Sequence, residues 1–271
     1  MRFLPFGPKY AVGLAYTAEE AAFVCLRRVG RRITLLHRMT ARSLEVLQDD
    51  VRSWVASTRR HDCPAAIAIP YTQSFRKVVT LSQALTAEEC EIELQENLSH
   101  YLPGIDELLS FDFRLIDEQD HSKVFLVAVR QSLLNQCISK IETMGLQMCI
   151  VDLDIHAKAR FAHSLAGQHA TIAFIERVGS EMHFLISEKN HPVFVQVCSM
   201  QEEVILHFKK YFKREKVEEC VVYLAENMIS HQTYLEQQLQ QKIKTITSFH
   251  SHPTTAAQLT ACGLALRVLF L

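Results

Sequence analysis

The chain has 271 residues, of which 48% are hydrophobic, and its 29 basic and 30 acidic side chains leave a formal net charge of −1. This length and composition indicate a globular protein with one large or two modest domains. The balanced charge argues against nucleic-acid binding, and we expect no nucleic acid among the partners. The eight cysteines contain no C-x-x-C pair, which predicts buried thiols in a reducing compartment and neither disulfides nor a metal site.

Pro5 and Pro8 interrupt the apolar residues at the start of the chain, so the pattern does not predict a secretory signal peptide. No apolar run reaches the roughly 18 residues of a membrane-spanning helix. We therefore expect a cytoplasmic protein that contacts a membrane only peripherally and through a partner.

The first 75 residues predict one compact unit of three strands, a helix and a further strand. Apolar runs and one helical stripe place these elements at 11–16, 21–29, 33–39, about 41–57 and 65–69. The turn at Gly30 is flanked by Arg27, Arg28, Arg31 and Arg32. Such a cluster is typical of a solvated hairpin tip, and the alternative is a contact with anionic lipid or an acidic partner.

Residues 76–150 predict a small inserted α+β module. Its strands and helices are expected at 76–81, 86–102, 111–116, 124–129, 133–144 and 148–153. Thr86 and Glu89 form the capping-box pattern that opens its first helix. After the last strand, Asp154 is expected to be the N-cap of the helix that follows.

The rest of the chain repeats the order of the first part. Three strands, a helix, a strand, a helix, a short segment and a last helix are expected at 171–175, 182–186, 193–197, 201–212, 220–224, 230–240, 243–246 and 254–269. The last helix is apolar on nearly all sides, which predicts that it is buried. The repeated order predicts two related lobes with a cleft between them.

Residues 85–107 and 111–113, followed by the strand, helix and strand of 123–152, resemble the PilM family. That family is the cytoplasmic actin-like component of type IV pilus assembly machines. The likeness includes QENLSHYLPGIDE at 95–107 and LTACGLALR at 259–267. It covers most of the chain and is most specific from about residue 80 to residue 165.

The resemblance implies an α/β fold, the actin-like (ribonuclease H-like) two-lobed fold with an inserted small α+β subdomain that is shared with FtsA. It assigns 1–75 to the first lobe, 76–150 to the inserted subdomain, 151–167 to a connecting helix of the first lobe and 168–271 to the second lobe. In PilM-like proteins the cleft between the lobes holds ATP. A groove between the first lobe and the inserted subdomain grips the cytoplasmic N-terminal peptide of the membrane protein PilN.

The nucleotide positions depart from the family pattern. An actin-like site needs glycine-rich turns, because only glycine lets backbone N–H groups approach phosphate closely, and an aspartate near the metal ion. In the family the first turn resembles V-G-L-D-I-G, whereas residues 12–17 of this chain read V-G-L-A-Y-T. Gly13 is kept, Ala15 replaces the aspartate, and Thr17 replaces the last glycine. Aspartate and glycine are replaced in the second turn by Phe174 and Glu176, and the adenosine-side glycines are replaced near Glu226. A carboxylate at Glu176 would repel phosphate.

The second lobe is also expected to be short, because only one helix and a loop fit between Val197 and Cys220. The resemblance and its departures together imply a reduced relative that binds no cofactor. Six residues of the inserted subdomain match the family pattern and are candidates to line or support the partner groove: Tyr101, Leu102, Pro103, Asp106, Glu107 and Phe113. The alternative is that Leu102, Pro103 and Phe113 cap a helix and fill the small core.

We therefore expect a non-catalytic adaptor that docks the cytoplasmic tail of a PilN-like inner-membrane protein in type IV pilus assembly or DNA uptake. A pilus motor ATPase is a further candidate partner, and the tail of a type II secretion component stays open as an alternative to PilN. The oligomeric state is also left open.

Two other hypotheses remain. The first is an actin-like ATPase that binds ATP and magnesium in a shifted register, with Gly13 and Gly179 in phosphate turns and Asp152 or Asp154 positioning water. The second concerns the basic run from Lys209 to Lys216, which is typical of a solvated helix end and has contact with acidic lipid as its alternative.

Overall fold

The structure is a computed structural model that describes residues 8–17, 19–30, 32–81, 85–117, 123–167, 170–189, 191–215, 217, 220–246, 248–249, 252–253 and 255–270. Contacts divide the chain into two compact units. The smaller unit is Tyr71–Ser139, and the larger unit contains the chain before and after it.

The elements in chain order are as follows. The first half contains β1 (Tyr10–Tyr16), β2 (Ala21–Val29), β3 (Arg32–Ala41), α1 (Leu44–Thr58), β4 (Cys63–Ile69), β5 (Phe75–Thr80), α2 (Ala87–Glu96), α3 (Leu98–Tyr101), β6 (Leu109–Asp117), β7 (Lys123–Arg130), α4 (Gln131–Thr143) and β8 (Leu146–Leu153). The second half contains α5 (Asp154–Ala166), β9 (Ile172–Val178), β10 (Glu181–Glu188), β11 (His191–Cys198), α6 (Gln201–Glu215), β12 (Val221–Ala225), α7 (Gln232–Leu239), β13 (Ile243–Ile246) and α8 (Ala256–Leu269). Short 3₁₀ turns at Tyr71–Gln73 and Glu226–His231, and a ribbon of Ser248–Phe249 with His252–Pro253, complete the described elements.

The larger unit contains two five-stranded sheets with the same strand order. The first runs β3-β2-β1-β4-β8 and the second β11-β10-β9-β12-β13. In each sheet the first three strands form an antiparallel meander and the last two run parallel to the central strand. This confirms the repeat that was predicted from the order of elements.

Two helices connect the sheets. Helix α5 follows the first sheet in the chain and contacts its strands β4 and β8, but it also packs against β9, β10 and β11 of the second sheet. Helix α8 follows the second sheet but packs against β1, β2 and β4 of the first. The two helices also pack on each other, and residues of both sheets share one buried cluster with them. The C-terminal helix, predicted as part of the second lobe, therefore completes the core of the first.

The smaller unit is an antiparallel sheet in the order β5-β7-β6, with the apolar side chains of α2 and α3 in its core. The capping box at the start of α2 is present, since the Thr86 hydroxyl accepts from the Glu89 amide and the Glu89 carboxylate accepts from the Thr86 amide. The single helix predicted for 86–102 is broken at Asn97. The Asn97 side-chain amide donates to the Glu93 carbonyl at 3.3 Å, and its backbone leaves the helical region.

The insertion predicted for 76–150 has different limits in the structure. It begins at Tyr71 and ends at Ser139, because β8 pairs in parallel with β4 of the first sheet over its whole length. Periodicity identified β8 as a strand, but only the pairing of strands distant in sequence shows to which sheet it belongs. Within the described residues, we find no helix with the length and apolarity that a membrane span requires.

Candidate functional site

Gly13 on β1 lies in direct contact with the backbone of α8. A Cβ atom at this position would lie 1.8 Å from the Ala261 carbonyl oxygen. The missing side chain is therefore required for the close approach of strand and helix. The glycine that resembles the family's first phosphate turn serves packing in this fold.

The β1–β2 turn is closed by hydrogen bonds of its own. The Thr17 hydroxyl accepts from the amides of Glu19 and Glu20 at 3.2 and 3.1 Å, and Ala15 before it is buried in the core. A cavity of about 250 Å³ lies beside this turn. Its lining comes from the β1–β2 turn, from the end of β9 and from the start of α8: Thr17, Glu19, Glu20, Arg177, Val178, Thr255 and Ala256. Two carboxylates and one guanidinium thus face the space at the predicted first phosphate turn.

A buried ion pair occupies the predicted second phosphate position. Glu176 on β9 is 1% exposed and pairs with Lys158 of α5, which is 4% exposed and also lies 3.0 Å from Asp154. Burial opposes the charged form of Lys158, but the carboxylates of Asp154 and Glu176 outweigh it and raise the lysine pKa. Phe174, two residues earlier on β9, lies in the core. The cation at this position is therefore already neutralised by protein carboxylates.

Asp154 is the first residue of α5, and the prediction that it is the N-cap is wrong. The N-cap is Leu153, which makes no side-chain capping bond. One Asp154 oxygen accepts from the Ile155 amide at 2.8 Å, and the other pairs with Lys158. The Asp154 carboxylate therefore still binds one amide of the first helical turn, while its other oxygen neutralises the buried lysine.

A second charged cluster joins β8, α5 and α8. The Asp152 carboxylate lies 2.7 Å from the Arg267 guanidinium and 3.1 Å from that of Arg160, and Arg160 also donates to the Gly263 carbonyl. Burial acts to raise the Asp152 pKa, but Arg160 and Arg267 outweigh it and hold that pKa below its ordinary value. The Asp152 carboxylate thus binds side chains of both α5 and α8 and stabilises their packing.

These residues do not fit a nucleoside triphosphate with its magnesium ion. Phosphate requires free backbone N–H groups or cations, and magnesium requires carboxylate oxygens that are free to coordinate it. At the family's positions the structure has the packed Gly13, the core residue Ala15 and the paired Glu176. For Glu226 only the backbone is described, and it begins a 3₁₀ turn after β12. Among the described residues, no group of three or more potential metal ligands comes together.

The smaller unit carries a groove of about 630 Å³ on its own surface. Its apolar lining comes from the helices, from the turn that follows them and from the start of β6: Leu98, Leu102, Ile105, Leu108, Leu109 and Phe111. Glu91, Glu96 and Glu107 lie at the groove and are exposed. Leu108 is 76% exposed, the largest value among the exposed large apolar side chains of the described residues. The result is an apolar floor beside an acidic rim.

Strand β6 lies at the edge of its sheet and pairs only with β7 among the described strands. The Phe113 amide donates to the Asp112 carboxylate at 2.8 Å. Since N–H and C=O groups of one residue point to the same side of an antiparallel strand, this bond indicates that Phe111 and Phe113 direct their backbone groups toward the unpaired edge. An open strand edge therefore adjoins the apolar groove.

The structure brings only part of the predicted groove set together. Leu102 and Glu107 line this groove, whereas Tyr101, Pro103, Asp106 and Phe113 are not among its lining residues. The Tyr101 hydroxyl donates to Glu93 at 2.7 Å, its carbonyl accepts from Lys77, and burial together with Glu93 raises its pKa to about 12. Phe113 packs on the small core, and Pro103 and Asp106 are exposed. The other lining residues, including Leu108, were not predicted from the sequence. Their exposure in the structure is what identifies them.

The comparison with family models supplies the identity. The model described as "Type IV pilus assembly protein PilM" matches residues 28–198, which is more than half of the chain. The chain belongs to the PilM family. No curated protein matches it in sequence.

Solved structures show the fold of this PilM-family chain. A structure of the PilM–PilN type IV pilus biogenesis complex is similar with a TM-score of 0.73 at 12% identity, over 96% of this chain and 98% of that one. The cytoplasmic domain of EpsL, an inner-membrane component of the type II secretion system of Vibrio cholerae, gives 0.53 at 12% identity over 94% and 93%. The ethanolamine utilization protein EutJ of Carboxydothermus hydrogenoformans gives 0.51 at 13% identity over 99% and 92%. These likenesses confirm the two-lobed actin-like fold that was expected from the sequence.

Proposed function

We propose that this PilM-family chain is a non-catalytic adaptor that docks the cytoplasmic tail of a PilN-like inner-membrane protein. The observation that carries the proposal is the groove of the smaller unit, where an apolar floor adjoins an unpaired strand edge. An extended peptide that adds to such an edge gains backbone hydrogen bonds, and the apolar pockets beside it select side chains. The similarity to a PilM–PilN complex supports a partner of this kind.

The acidic rim specifies the chemistry of the tail. Glu91 and Glu96 lie beside the apolar floor, and no ion pair is found for either in the described part of the chain. Glu107 already pairs with Arg130 at 2.9 Å. We therefore expect a segment with apolar residues for the floor and a basic residue for the rim, and binding that weakens as salt is added.

The same proposal holds that the cleft binds no nucleotide and supports no catalysis. Two carboxylates neutralise Lys158, and two guanidinium groups neutralise Asp152. Gly13 is in contact with α8, so a ligand cannot approach its backbone. The side chains that would bind phosphate or position water are thus committed to holding α5, α8 and the two sheets together. The ATPase alternative stays a prediction, as does the motor ATPase as a further partner.

Replacing Leu108 by serine should weaken binding of the partner's tail peptide about tenfold, because an apolar contact in the groove is lost. Leu108 is 76% exposed, so folding should not change. Isothermal titration of the purified chain with a synthetic tail peptide measures the effect. Ile92→Ser is the matched control, since Ile92 is 57% exposed in the same unit but does not line the groove. Equal losses in both variants, or none in Leu108→Ser, would refute the groove assignment.

Magnesium and ATP should leave the unfolding temperature of the chain unchanged to within about 1 °C. A ligand present at one hundred times its Kd stabilises the folded state by about 2.7 kcal/mol, which raises Tm by roughly 5 °C or more in a chain of this size. Differential scanning fluorimetry with millimolar ATP and magnesium measures this directly. A dose-dependent rise of several degrees would contradict the absence of a nucleotide site.

A further inference from the structure

Five cations lie at one end of the first sheet, and three of them surround one tyrosine. They come from the start of β1, the end of β2, the start of β3 and the end of α1, and we call them the basic face: Lys9, Arg27, Arg32, Arg59 and Arg60. Tyr10 pairs with Arg27 across the sheet. The Arg60 guanidinium lies 3.9 Å from the centroid of the Tyr10 ring, that of Arg27 lies at 5.9 Å, and the Lys9 ammonium lies at 5.7 Å.

No carboxylate neutralises the basic face in the described part of the chain. None of its five cations belongs to an ion pair there, whereas Lys140, Arg130 and Lys158 all do. The buried Nε atoms of Arg27 and Arg60 also find no hydrogen-bond acceptor among the described residues. A hydrogen bond from Arg60, together with the charges of Lys9 and Arg27, lowers the Tyr10 pKa, which shows how positive the surroundings are. Cations without a carboxylate partner can bind an external anion through their exposed N–H groups.

Not every arginine of the β2–β3 hairpin belongs to the basic face. Arg28 points to the opposite side of the sheet, where it donates to the Leu269 carbonyl at the end of α8 at 2.8 Å and so has a structural role. Arg31 lies outside the described residues. Arg32 pairs with Val29 across the hairpin, and Val29, an apolar side chain at the tip, is 52% exposed. The tip thus presents an exposed apolar residue next to cations, the combination typical of a segment at a lipid interface.

Arg59 stands where a glycine is usual. It is the C-cap of α1 and has left-handed backbone angles, with φ 51° and ψ 42°. A side chain in this conformation costs free energy that glycine avoids, so a glycine at position 59 would suit the backbone. A cation at a helix C-terminus also interacts favourably with the helix dipole. At an exposed site this interaction offsets only part of the backbone strain at Arg59.

A pocket of about 460 Å³ opens at the basic face, lined by Lys9, Tyr10, Arg59, Arg60 and His61 among others. We propose that the basic face binds the phosphate groups of anionic phospholipids, so that the chain contacts the membrane surface directly as well as through a partner's tail. Bidentate contact between guanidinium and phosphate supplies the affinity, and Val29 enters the headgroup region. Since the net charge of the whole chain is −1, a general attraction to anionic membranes does not account for such binding.

The test is co-sedimentation of the full chain with vesicles of phosphatidylcholine alone or with 30% phosphatidylglycerol, at about 0.15 M salt. We expect binding to the anionic vesicles only. The variant Arg32→Gln/Arg59→Gly should bind about 30-fold more weakly, because each basic residue near an anionic surface contributes about fivefold. This variant should fold at least as well, since glycine suits the backbone at position 59. A Tm no lower than that of the unmodified chain checks this.

The matched control is Lys209→Gln/Lys210→Gln, which removes the same charge from exposed positions of α6. It should bind anionic vesicles like the unmodified chain. Equal weakening in both variants, or no binding by the unmodified chain, would overturn the proposal. So would loss of vesicle binding on adding millimolar inorganic phosphate at constant ionic strength, since that result would assign the pocket to a soluble phosphate compound.

Discussion

Gly263→Ala is expected to lower the free energy of unfolding of the larger unit by about 3 kcal/mol or more. The Cβ atom would lie 1.9 Å from the Ala157 carbonyl oxygen, so α5 and α8 would have to separate. These helices connect the two sheets, and Arg160 of α5 also donates to the Gly263 carbonyl. Separation would therefore disturb the shared core, and urea unfolding followed by circular dichroism measures the loss.

Gly104→Ala is the control for this prediction. Gly104 has φ +79° in the smaller unit and no atom within 4 Å of the position that a Cβ would take. An alanine there adds only backbone strain of about 1 kcal/mol. If Gly263→Ala cost no more than Gly104→Ala, the close crossing of α5 and α8 would be wrong.

Lys158→Met should destabilise the larger unit by about 3–5 kcal/mol, because removing one partner of a buried ion pair leaves the other as an uncompensated charge. Glu176 is 1% exposed and has Lys158 as its closest cation. The loss should appear as a lower urea midpoint with an unchanged slope.

The double variant Lys158→Met/Glu176→Leu should recover the part of this loss that comes from Glu176, since apolar side chains of similar volume replace that pair. The Asp154 carboxylate, which is 13% exposed, stays without the lysine and keeps the recovery incomplete. Recovery of stability would show that the Lys158–Glu176 ion pair couples α5 to the second sheet. If the double variant were less stable than Lys158→Met alone, the two residues would not form the coupled pair that the structure shows.

Local sequence signals predicted most elements of this fold. Continuous apolar runs identified the buried strands, and Thr86 with Glu89 identified the start of α2, because these patterns depend on residues close together in the chain. The break at Asn97 was not predicted, since its side-chain bond to Glu93 competes with a helical pattern that continues on both sides. The packing of α5 on both sheets and of α8 on the first sheet was not predicted either. It depends on Gly13 and Gly263, whose contacts lie far away in sequence.

The candidate sites were harder to predict for the same reason. Glu176 was interpreted as a charge that repels phosphate, but its partner Lys158 lies on a different element and no local pattern connects the two. In the smaller unit the family pattern led to Tyr101, whose hydroxyl and carbonyl are both used internally. Leu108 has no sequence signal of its own, because a leucine that will be exposed does not differ in sequence from one that will be buried.

The most direct test of the account is titration of the full chain with the tail peptide of a PilN-like partner, with and without millimolar ATP and magnesium. Ligands that are coupled through a protein change each other's affinity by the same factor. We expect saturable binding with the same Kd in both conditions, because the proposed cleft binds no nucleotide that could change the affinity for the peptide. Binding that appears only with nucleotide, or a Kd that changes tenfold on its addition, would contradict it.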